Sequence, residues 1–499
     1  MFNIKFNSGN KKTVYKPLSL SVKYLIDEKK LATTLKQFEK VSNIKLSELQ
    51  RKNFLSAKVN EIRVSKPDGK PDDIMICKVK ADDNFSADYF RNQLAGLIQN
   101  ISNEEIKYLH IHIPQYSAFK KHFETEEYFC QSFIEGLALG NYAFDNYKYD
   151  RKKPTELNVF FYSSNFKKLS TALLTAQAVI AGFNFTKYLQ NESAISMTPA
   201  ILANTVSKML KKAGVKTKVF SESEITKRKM GGLLAVGMGS DNPPRFIVLE
   251  YKGAKWSSKK SKTVALVGKG VTFDTGGISI KPASGMGEMK ADMSGAAVVA
   301  GTVLAAAKAK LPVNIIGIIP SAENMISGSS MRPGDIVVTA SGKSIEVDNT
   351  DAEGRMILAD ALNYASKLKP DVIIDLATLT GACVVALGEF VAGLFTKNDK
   401  LASQLYNSGM KTYDRVWRLP MWDDYNELNK SDVADVKNVG GRWGGAITAA
   451  KFLENFVDKN IIWAHLDIAG PAMANSYNNY TKKFMTGFGV RLLFDYLSK

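Results

Sequence analysis

Cysteine and histidine are both scarce in this sequence of 499 residues, which contains three cysteines and four histidines. Cys77, Cys130 and Cys383 are odd in number and widely separated, which argues against a disulfide framework and is typical of a reducing compartment. His110 and His112 lie two residues apart on a predicted strand, but no nearby cysteine or third histidine completes a zinc set. Disulfide-stapled folds and histidine-rich metal sites are therefore disfavoured.

The sequence also lacks an uninterrupted apolar run of the roughly 18 residues that a membrane-spanning helix needs. Its first residues, MFNIKFNSGN, alternate like a strand followed by a turn and do not resemble a charged and then apolar secretion signal. We therefore expect a cytoplasmic protein without a membrane association.

Acidic residues are too few to balance the basic ones, and the formal net charge is +18. Residues 1–165 carry 26 basic and 20 acidic residues, and the remaining 334 carry 41 and 29, so the excess per residue is the same in both parts. A nucleic-acid interface concentrates its basic residues on one face or segment. The even spread favours a generally basic surface and leaves nucleic-acid binding as a less favoured alternative.

The order and spacing of apolar segments predict an α/β fold in two domains. Residues 1–165 mix short alternating segments with helical ones, which predicts a smaller N-terminal α/β domain. In the larger C-terminal domain, residues 166–499, apolar strands at 246–251, 263–273, 313–320, 371–378 and 461–470 alternate with helices. This pattern predicts a mainly parallel sheet covered by helices on both faces, with a linking helix near 167–190.

Charged residues gather in and beside glycine-rich segments of the C-terminal half. The two segments GKGVTFDTGGISIKPASGMGEMKADMS and NTDAEGR together contain Lys269, Asp274, Lys281, Asp292, Asp351, Glu353 and Arg355. Carboxylates brought together raise each other's pKa unless positive charge lies between them, and two bridged divalent metal ions supply that charge in many hydrolases. Taken singly, DAEGR is also an ordinary helix start and DTGG an ordinary turn.

Six segments together resemble the signature blocks of the leucine aminopeptidase (cytosol aminopeptidase) family of two-metal peptidases. They are GKGVTFDTGGISIKP, MKADMSGAA, NTDAEGRMILADAL, DLATLTGAC, SDVADVKNVGGRWGGAITAAKFLENFV and AHLDIAGPA. The resemblance extends from about residue 231 to the C-terminus. The N-terminal part is similar only in its length and its α/β character.

The resemblance implies two divalent metal ions per subunit, manganese or zinc, with magnesium or cobalt as alternatives. Asp274 and Glu353 would bridge the ions, Lys269 and Asp292 would complete the tighter site, and Asp351 the more exchangeable one. A lysine ligand must be a neutral amine, and adjacent dications and desolvation both lower the pKa of Lys269. Lys281 would stabilise the oxyanion of the tetrahedral intermediate, and Arg355 would hold bicarbonate as the general base.

The implied activity is that of a metal-dependent aminopeptidase, which releases leucine- or methionine-like residues from peptides with a free N-terminus. The substrate-binding residues implied by the resemblance are Met289, Asn349, Thr378, Leu379, Gly381, Ala469 and Ala472. Ala472 leaves more room than a larger residue would, which argues against a strict size preference. Family members are homohexamers.

Three alternatives remain beside this interpretation. In the first, the chain would be a DNA-binding member of the fold, and in the second an inactive structural member. In the third, it would be a different two-metal hydrolase such as a phosphatase. An inactive member predicts losses among the seven metal and catalytic positions, and the sequence shows none. Two-metal phosphatases usually recruit histidine, whereas His465 is the only histidine in this half of the sequence.

Overall fold

The structure is a computed structural model, and it describes residues 1–9, 17–26, 31–56, 58–65, 72–151, 153–254 and 262–499. The chain divides into two compact units, residues 1–180 with 478–480 and residues 181–477 with 481–499. A long helix, Phe166–Asn191, contributes residues to both units. The boundary between residues 165 and 166 stays a prediction.

The first unit is built on a sheet with strand order β1-β6-β5-β2-β4-β3, in which β3 is antiparallel to β4 and the other pairs are parallel. Its strands are β1 (Phe2–Ser8), β2 (Ser19–Ile26), β3 (Glu61–Ser65), β4 (Asp72–Val79), β5 (Tyr108–His112) and β6 (Thr155–Tyr162). Its helices are α1 (Leu31–Ser42), α2 (Glu48–Leu55), α3 (Tyr89–Asn100), α4 (Glu126–Gly140) and the start of α5 (Phe166–Asn191). The rings of Phe90 and Phe133 stack in its core, with centroids 4.2 Å apart.

The second unit is built on a larger sheet with strand order β16-β15-β18-β14-β9-β11-β8-β7, with β10 also paired to β11. A small sheet has the order β12-β13-β17. The strands are β7 (Lys216–Phe220), β8 (Arg245–Lys252), β9 (Thr263–Gly268), β10 (Gly270–Asp274), β11 (Asn314–Asn324), β12 (Ile336–Val338), β13 (Ser344–Glu346), β14 (Val372–Ala377), β15 (Ala392–Phe395), β16 (Val416–Arg418), β17 (Val436–Lys437) and β18 (Ile462–Asp467).

The helices of the second unit are α6 (Pro199–Lys212), α7 (Glu222–Lys227), α8 (Gly231–Gly237), α9 (Ser294–Ala309), α10 (Glu353–Lys367), α11 (Gly381–Leu387), α12 (Asp399–Thr412), α13 (Gly445–Glu454), α14 (Ala469–Ala472) and α15 (Val490–Leu497). The central strands β18, β14, β9 and β11 run parallel, whereas β15 and β8 are antiparallel to their inner neighbours. Every residue of β11 and β14 is buried because helices cover the sheet, and this explains the apolar runs that both strands contain. The predicted α/β fold is confirmed.

Helix α5 is the segment of the described chain that is long and apolar enough to cross a bilayer. Its most apolar window of 18 residues has a mean hydropathy of 1.3, and half of that window is buried inside the protein. Thr175, Gln177 and Asn184 interrupt its apolar residues, which is why the sequence shows no continuous apolar run. Buried core helices share this length and composition, so the helix is weak evidence of a membrane span.

Candidate active site

Lys269 lies in the single-residue break between β9 and β10, and its side chain is almost completely buried. The backbone N–H of Lys269 donates to the Leu376 carbonyl on β14 at 3.0 Å. Its ammonium lies 2.7 Å from Asp292 Oδ2 and 2.8 Å from Glu353 Oε1, and it also donates to the Thr378 carbonyl at 3.0 Å. Lys269, Asp292 and Glu353 together form what we call the buried pocket.

Gly354 permits this approach of the lysine. A Cβ atom built on Gly354 would lie 2.4 Å from Cε and 2.7 Å from Nζ of Lys269, closer than real Cβ contacts allow. Gly354 is the second residue of α10, which begins at Glu353. The glycine of DAEGR therefore serves the packing of Lys269, since a helix start alone does not require it.

The carboxylates decide the charge of Lys269. Burial alone would lower the pKa of Lys269, but Asp292, Glu353 and Asp274 outweigh burial and raise the pKa above its ordinary range. Burial raises the pKa of Asp292 well above its ordinary range, although Lys269 opposes this. The family resemblance, by contrast, implies a lowered pKa for Lys269 as a metal-bound amine. Because the chain alone favours the ammonium form, the Lys269 ammonium and a divalent cation would compete for the same carboxylate oxygens.

Lys281, Asp274 and Asp351 form a second group, which we call the open pocket. The ammonium of Lys281 lies 2.8 Å from Asp274 Oδ2 and donates to Asp351 Oδ1. The side chains of Lys281 and Asp351 are 21% and 32% exposed, so water and small molecules reach them. Burial alone would lower the pKa of Lys281, but the two carboxylates raise it, while burial raises the pKa of Asp351 to about 6 against the effect of Lys281.

Hydrogen bonds hold the DTGG turn and the NTDAEGR loop together. Asp274 Oδ1 accepts from the backbone N–H of Gly276 and from Asn324 Nδ2, both at 2.8 Å. The Thr350 hydroxyl donates to the Gly276 carbonyl at 2.6 Å and accepts from the backbone N–H of Ser279 at 2.8 Å. Asn324 and Thr350 were not predicted from the sequence, and they fix the positions of the acids that were.

The carboxylates of the two pockets meet. Asp274, Asp351 and Glu353 each offer an oxygen within 4.8 Å of the others. Glu353 Oε1 and Asp292 Oδ2 are buried and accept no hydrogen bond from the described part of the chain, although the Lys269 ammonium lies beside both. Clustered buried carboxylates need positive charge beside them, and carboxylates are preferred ligands of Mg²⁺ and Mn²⁺. The donor set therefore fits divalent cations.

Asp467, at the end of β18, shapes the turn that follows β14. It is fully buried, Oδ2 accepts from the Thr380 hydroxyl at 2.6 Å, and Oδ1 accepts from the backbone N–H groups of Leu379 and Ala469 at 3.2 Å each. The Thr378 hydroxyl donates to Asp292 Oδ1 at 2.8 Å, which links this turn to the buried pocket. Asp467 thus supports the site through these hydrogen bonds.

Arg355 and Asn438 form the remaining side of the site. Arg355 Nη1 donates to the Asn438 carbonyl at 2.6 Å, and Arg355 Nε has no partner within the described ranges. Burial lowers the pKa of Arg355 to about 10, against the effects of Glu353 and Asp467. Asn438 Oδ1 accepts from the backbone N–H of Asn349 at 3.2 Å, and Nδ2 donates to the Asn349 carbonyl at 2.7 Å.

The structure brings the predicted metal and catalytic residues to one edge of the sheet. Thr378, Leu379 and Gly381 lie on the turn after β14 and at the start of α11. The other predicted substrate residues lie on a short 3₁₀ helix, in the NTDAEGR loop and on α14, and they are Met289, Asn349, Ala469 and Ala472. Their roles stay predictions. Asn438 occurs in a segment that carries the resemblance, but only its contacts identify it as a support of the site.

Two family descriptions match the chain. Residues 184–494 match the catalytic domain of the cytosol aminopeptidase family, and residues 21–151 match its N-terminal domain. A probable cytosol aminopeptidase of Chlorobium limicola is 49% identical over 386 residues, which cover 74% of this chain and 75% of the relative. A probable cytosol aminopeptidase of Geobacter sulfurreducens is 49% identical over 370 residues, which cover 73% of each chain.

Solved structures resemble both units. A mutant of tomato leucine aminopeptidase is similar with a TM-score of 0.83 at 30% identity, covering 100% of this chain and 96% of the tomato chain. The bottromycin maturation enzyme BotP in complex with Mn is similar with a TM-score of 0.80 at 30% identity, covering 96% and 98% of the two chains.

Proposed function

Because this chain belongs to the cytosol aminopeptidase family, and is therefore a metalloexopeptidase, we propose that it releases leucine- or methionine-like N-terminal residues by two-metal hydrolysis. One observation carries the mechanistic part of this proposal. Three carboxylates, Asp274, Asp351 and Glu353, present oxygens within 4.8 Å of one another between two lysines. Such a group needs positive charge at its centre.

We assign the metal ligands by this cluster and by the family resemblance. Asp274 and Glu353 would bridge two ions, Lys269 and Asp292 would hold one ion, and Asp351 the other. When bound, two divalent ions polarise the substrate carbonyl and lower the pKa of water. Manganese and zinc are our first choices, with magnesium or cobalt as alternatives, and the manganese in the BotP complex supports manganese.

Lys281 is the residue that we assign to the substrate carbonyl. Its ammonium is partly exposed, and Asp274 and Asp351 raise its pKa, so it stays charged across the neutral range. A fixed cation aimed at an oxygen that becomes negative stabilises the transition state more than the ground state. Lys281 is thereby an electrostatic catalyst, and it keeps its own proton throughout the reaction.

Arg355 is the residue that we assign to a bound bicarbonate. It is buried beside Glu353 and Asp467, and its Nε lacks a partner among the described residues. A guanidinium binds a planar anion through paired hydrogen bonds, and bicarbonate supplies a general base when bound. Arg355 would fix the position of that base.

The first side chain of the substrate would lie among Met289, Thr378, Gly381, Ala469 and Ala472. Leu379 and Asn349 are the other two residues that we assign to substrate binding. Methionine and small residues make an adaptable apolar pocket, which supports leucine and methionine as first residues. We further propose a cytoplasmic homohexamer that acts on peptides with a free N-terminus. DNA binding is less favoured because basic residues are evenly spread along the chain.

The experiment measures hydrolysis of a leucine chromogenic amide with added manganese. The unsubstituted protein is expected to be active, and Glu353→Gln is expected to lose at least about a thousandfold in kcat because it removes half of a bridging ligand. Glu288→Gln, a change of an exposed acid in the same unit, is the matched control. Near-normal activity of Glu353→Gln would contradict the two-metal assignment. Inactivity of the unsubstituted protein with metal bound would favour an inactive member of the family.

A further inference from the structure

A glycine-rich loop, residues 439–445, connects the two sides of the site. It follows Asn438, which bonds both Arg355 and Asn349. It ends at Gly445, the first residue of α13, where an added Cβ would lie 3.1 Å from the Cβ of Ala382 on α11. The loop therefore begins beside the residue assigned to the anion and ends beside the assigned substrate pocket.

Glycines fix the path of this loop. Gly441 and Gly444 have φ of +86° and +64°, a region that other residues rarely adopt. A Cβ on Gly440 would lie 2.7 Å from both Asn429 Oδ1 and Thr448 Cβ, so its backbone is pressed against the protein. The loop is thus anchored at both ends and along its base. Its tip, formed by Arg442 and Trp443, faces solvent.

The tip presents a pair of side chains suited to recognition. Trp443 is 76% exposed, and the Arg442 guanidinium lies 5.0 Å from the centroid of its ring. Arg442 is exposed and forms no ion pair with any carboxylate of the residues that the structure describes. An exposed indole beside an unpaired guanidinium is a combination that binds an apolar group next to an anion.

The tip is within reach of a bound peptide. Arg442 precedes Gly445 by three residues, so their Cα atoms are at most about 11 Å apart. An extended peptide advances by roughly 3.3 Å per residue. Arg442 and Trp443 therefore lie within the span of the second or third residue of a peptide whose first residue occupies the assigned pocket beside α11.

We propose that Arg442 and Trp443 form a subsite for the peptide beyond the cleaved bond. The indole packs on the second residue, and the guanidinium pairs with the terminal carboxylate. The preferred substrates are therefore dipeptides and tripeptides with a free carboxyl end. This inference rests on the proposed aminopeptidase function.

The test compares kcat/KM for leucyl-phenylalanine and for its C-terminal amide, with manganese present. The unsubstituted protein should favour the free acid by about two- to fivefold, the strength of an exposed ion pair. Arg442→Ala should bring this ratio close to one, chiefly through KM for the acid, and Arg442→Lys should restore part of it. Arg228→Ala, which removes another exposed arginine stacked on a ring, should leave the ratio as it was.

A second variant tests the indole. Trp443→Ala should raise KM for both peptides several-fold, whereas Trp417→Ala, the loss of another exposed tryptophan, should not. If the unsubstituted protein cleaved the acid and the amide with equal kcat/KM, the subsite would be overturned but the aminopeptidase function would not. If the protein cleaved neither peptide, the proposed function itself would be overturned. If Trp443→Ala changed the number of subunits in the assembly but left KM unchanged, Trp443 would be a contact between copies of the chain, and the subsite would be overturned.

Discussion

The buried pocket and the open pocket each place a lysine between two carboxylates, but they differ in access to water. The side chain of Lys269 is 4% exposed, and that of Lys281 is 21% exposed. Lys269 has three carboxylates raising its pKa and also donates to the Thr378 carbonyl, whereas Lys281 has two carboxylate partners, one of which is 32% exposed. Lys269, which is enclosed on all sides, therefore holds the site together. Lys281, which is open to water on one side, is able to exchange a carboxylate partner for a substrate.

Replacing each lysine by methionine tests this difference most directly. Lys269→Met leaves Asp292 and Glu353 buried without a cation, so the metal-free protein should lose about 3–5 kcal/mol of unfolding free energy. Lys281→Met should lose about 1 kcal/mol or less and keep its metal, but its kcat should fall by roughly 10²–10³. Urea denaturation in EDTA, metal analysis and kinetics measure the three quantities. Equal losses of stability in the two variants would remove the distinction between the pockets.

A smaller effect should follow from Gly354→Ala. The added Cβ would meet Lys269 Cε at 2.4 Å, so either the lysine or the start of α10 must move. Such overpacking typically costs about 1–3 kcal/mol, and here it also displaces a proposed ligand. Gly287→Ala is the control, because nothing lies within 4 Å of its Cβ position. If Gly354→Ala were as active and as stable as the control, the close packing around Lys269 would contribute to neither activity nor stability.

The two pockets also differ in how far the sequence could predict them. Asp274, Asp351 and Glu353 stand out because they lie in segments that resemble the family's signature blocks, and the structure places them together. The break in the predicted strand 263–273 at Lys269 was not foreseen, since apolar residues continue on both sides of it. Such a break depends on the partner strand and on the packing of the lysine.

Supporting residues were harder to predict than the charged ones. Asn324, Thr350 and Asn438 act through hydrogen bonds to the backbone carbonyls of other segments, namely those of Thr350, Gly276 and Asn349. Polar residues of these types are common in ordinary turns, so a single sequence carries no signal that separates such roles. Only the fold shows which backbone groups each of them meets.

Asn438→Asp tests whether the hydrogen bonds of Asn438 position the loop that contains Asn349, on the side of the site where Arg355 lies. The change keeps the acceptor for the backbone N–H groups of Asp348 and Asn349 but replaces the donor to the Asn349 carbonyl by an oxygen. Loss of a buried hydrogen bond of this kind costs about 1–3 kcal/mol. We expect kcat to fall about tenfold with metal content unchanged. Asn426→Asp, at an exposed position, is the control, and equal kinetics in both variants would show that Asn438 does not position the loop.

The smallest expected effect concerns a buried pair of a histidine and an aspartate, which lies outside both pockets. His465 Nδ1 lies 2.6 Å from Asp375 Oδ1, and Asp375 Oδ2 accepts from Trp463 Nε1 at 2.6 Å. Burial lowers the pKa of His465, but Asp375 outweighs burial and raises the pKa above its ordinary value. The stabilisation is therefore complete below the unfolded pKa of about 6.5 and is lost as pH rises through the higher folded pKa.

His465→Gln should remove this pH dependence while leaving the two pockets in place. Between the two pKa values, the unfolding free energy of the unsubstituted protein should fall by up to about 1.4 kcal/mol per pH unit relative to the variant. Urea denaturation of both proteins from pH 5 to pH 9 measures the difference, with His122→Gln as the control from the first unit. A constant difference across this range would mean that His465 keeps one charge state throughout. Asp375 would then be a hydrogen-bond partner for a permanently neutral or permanently charged ring.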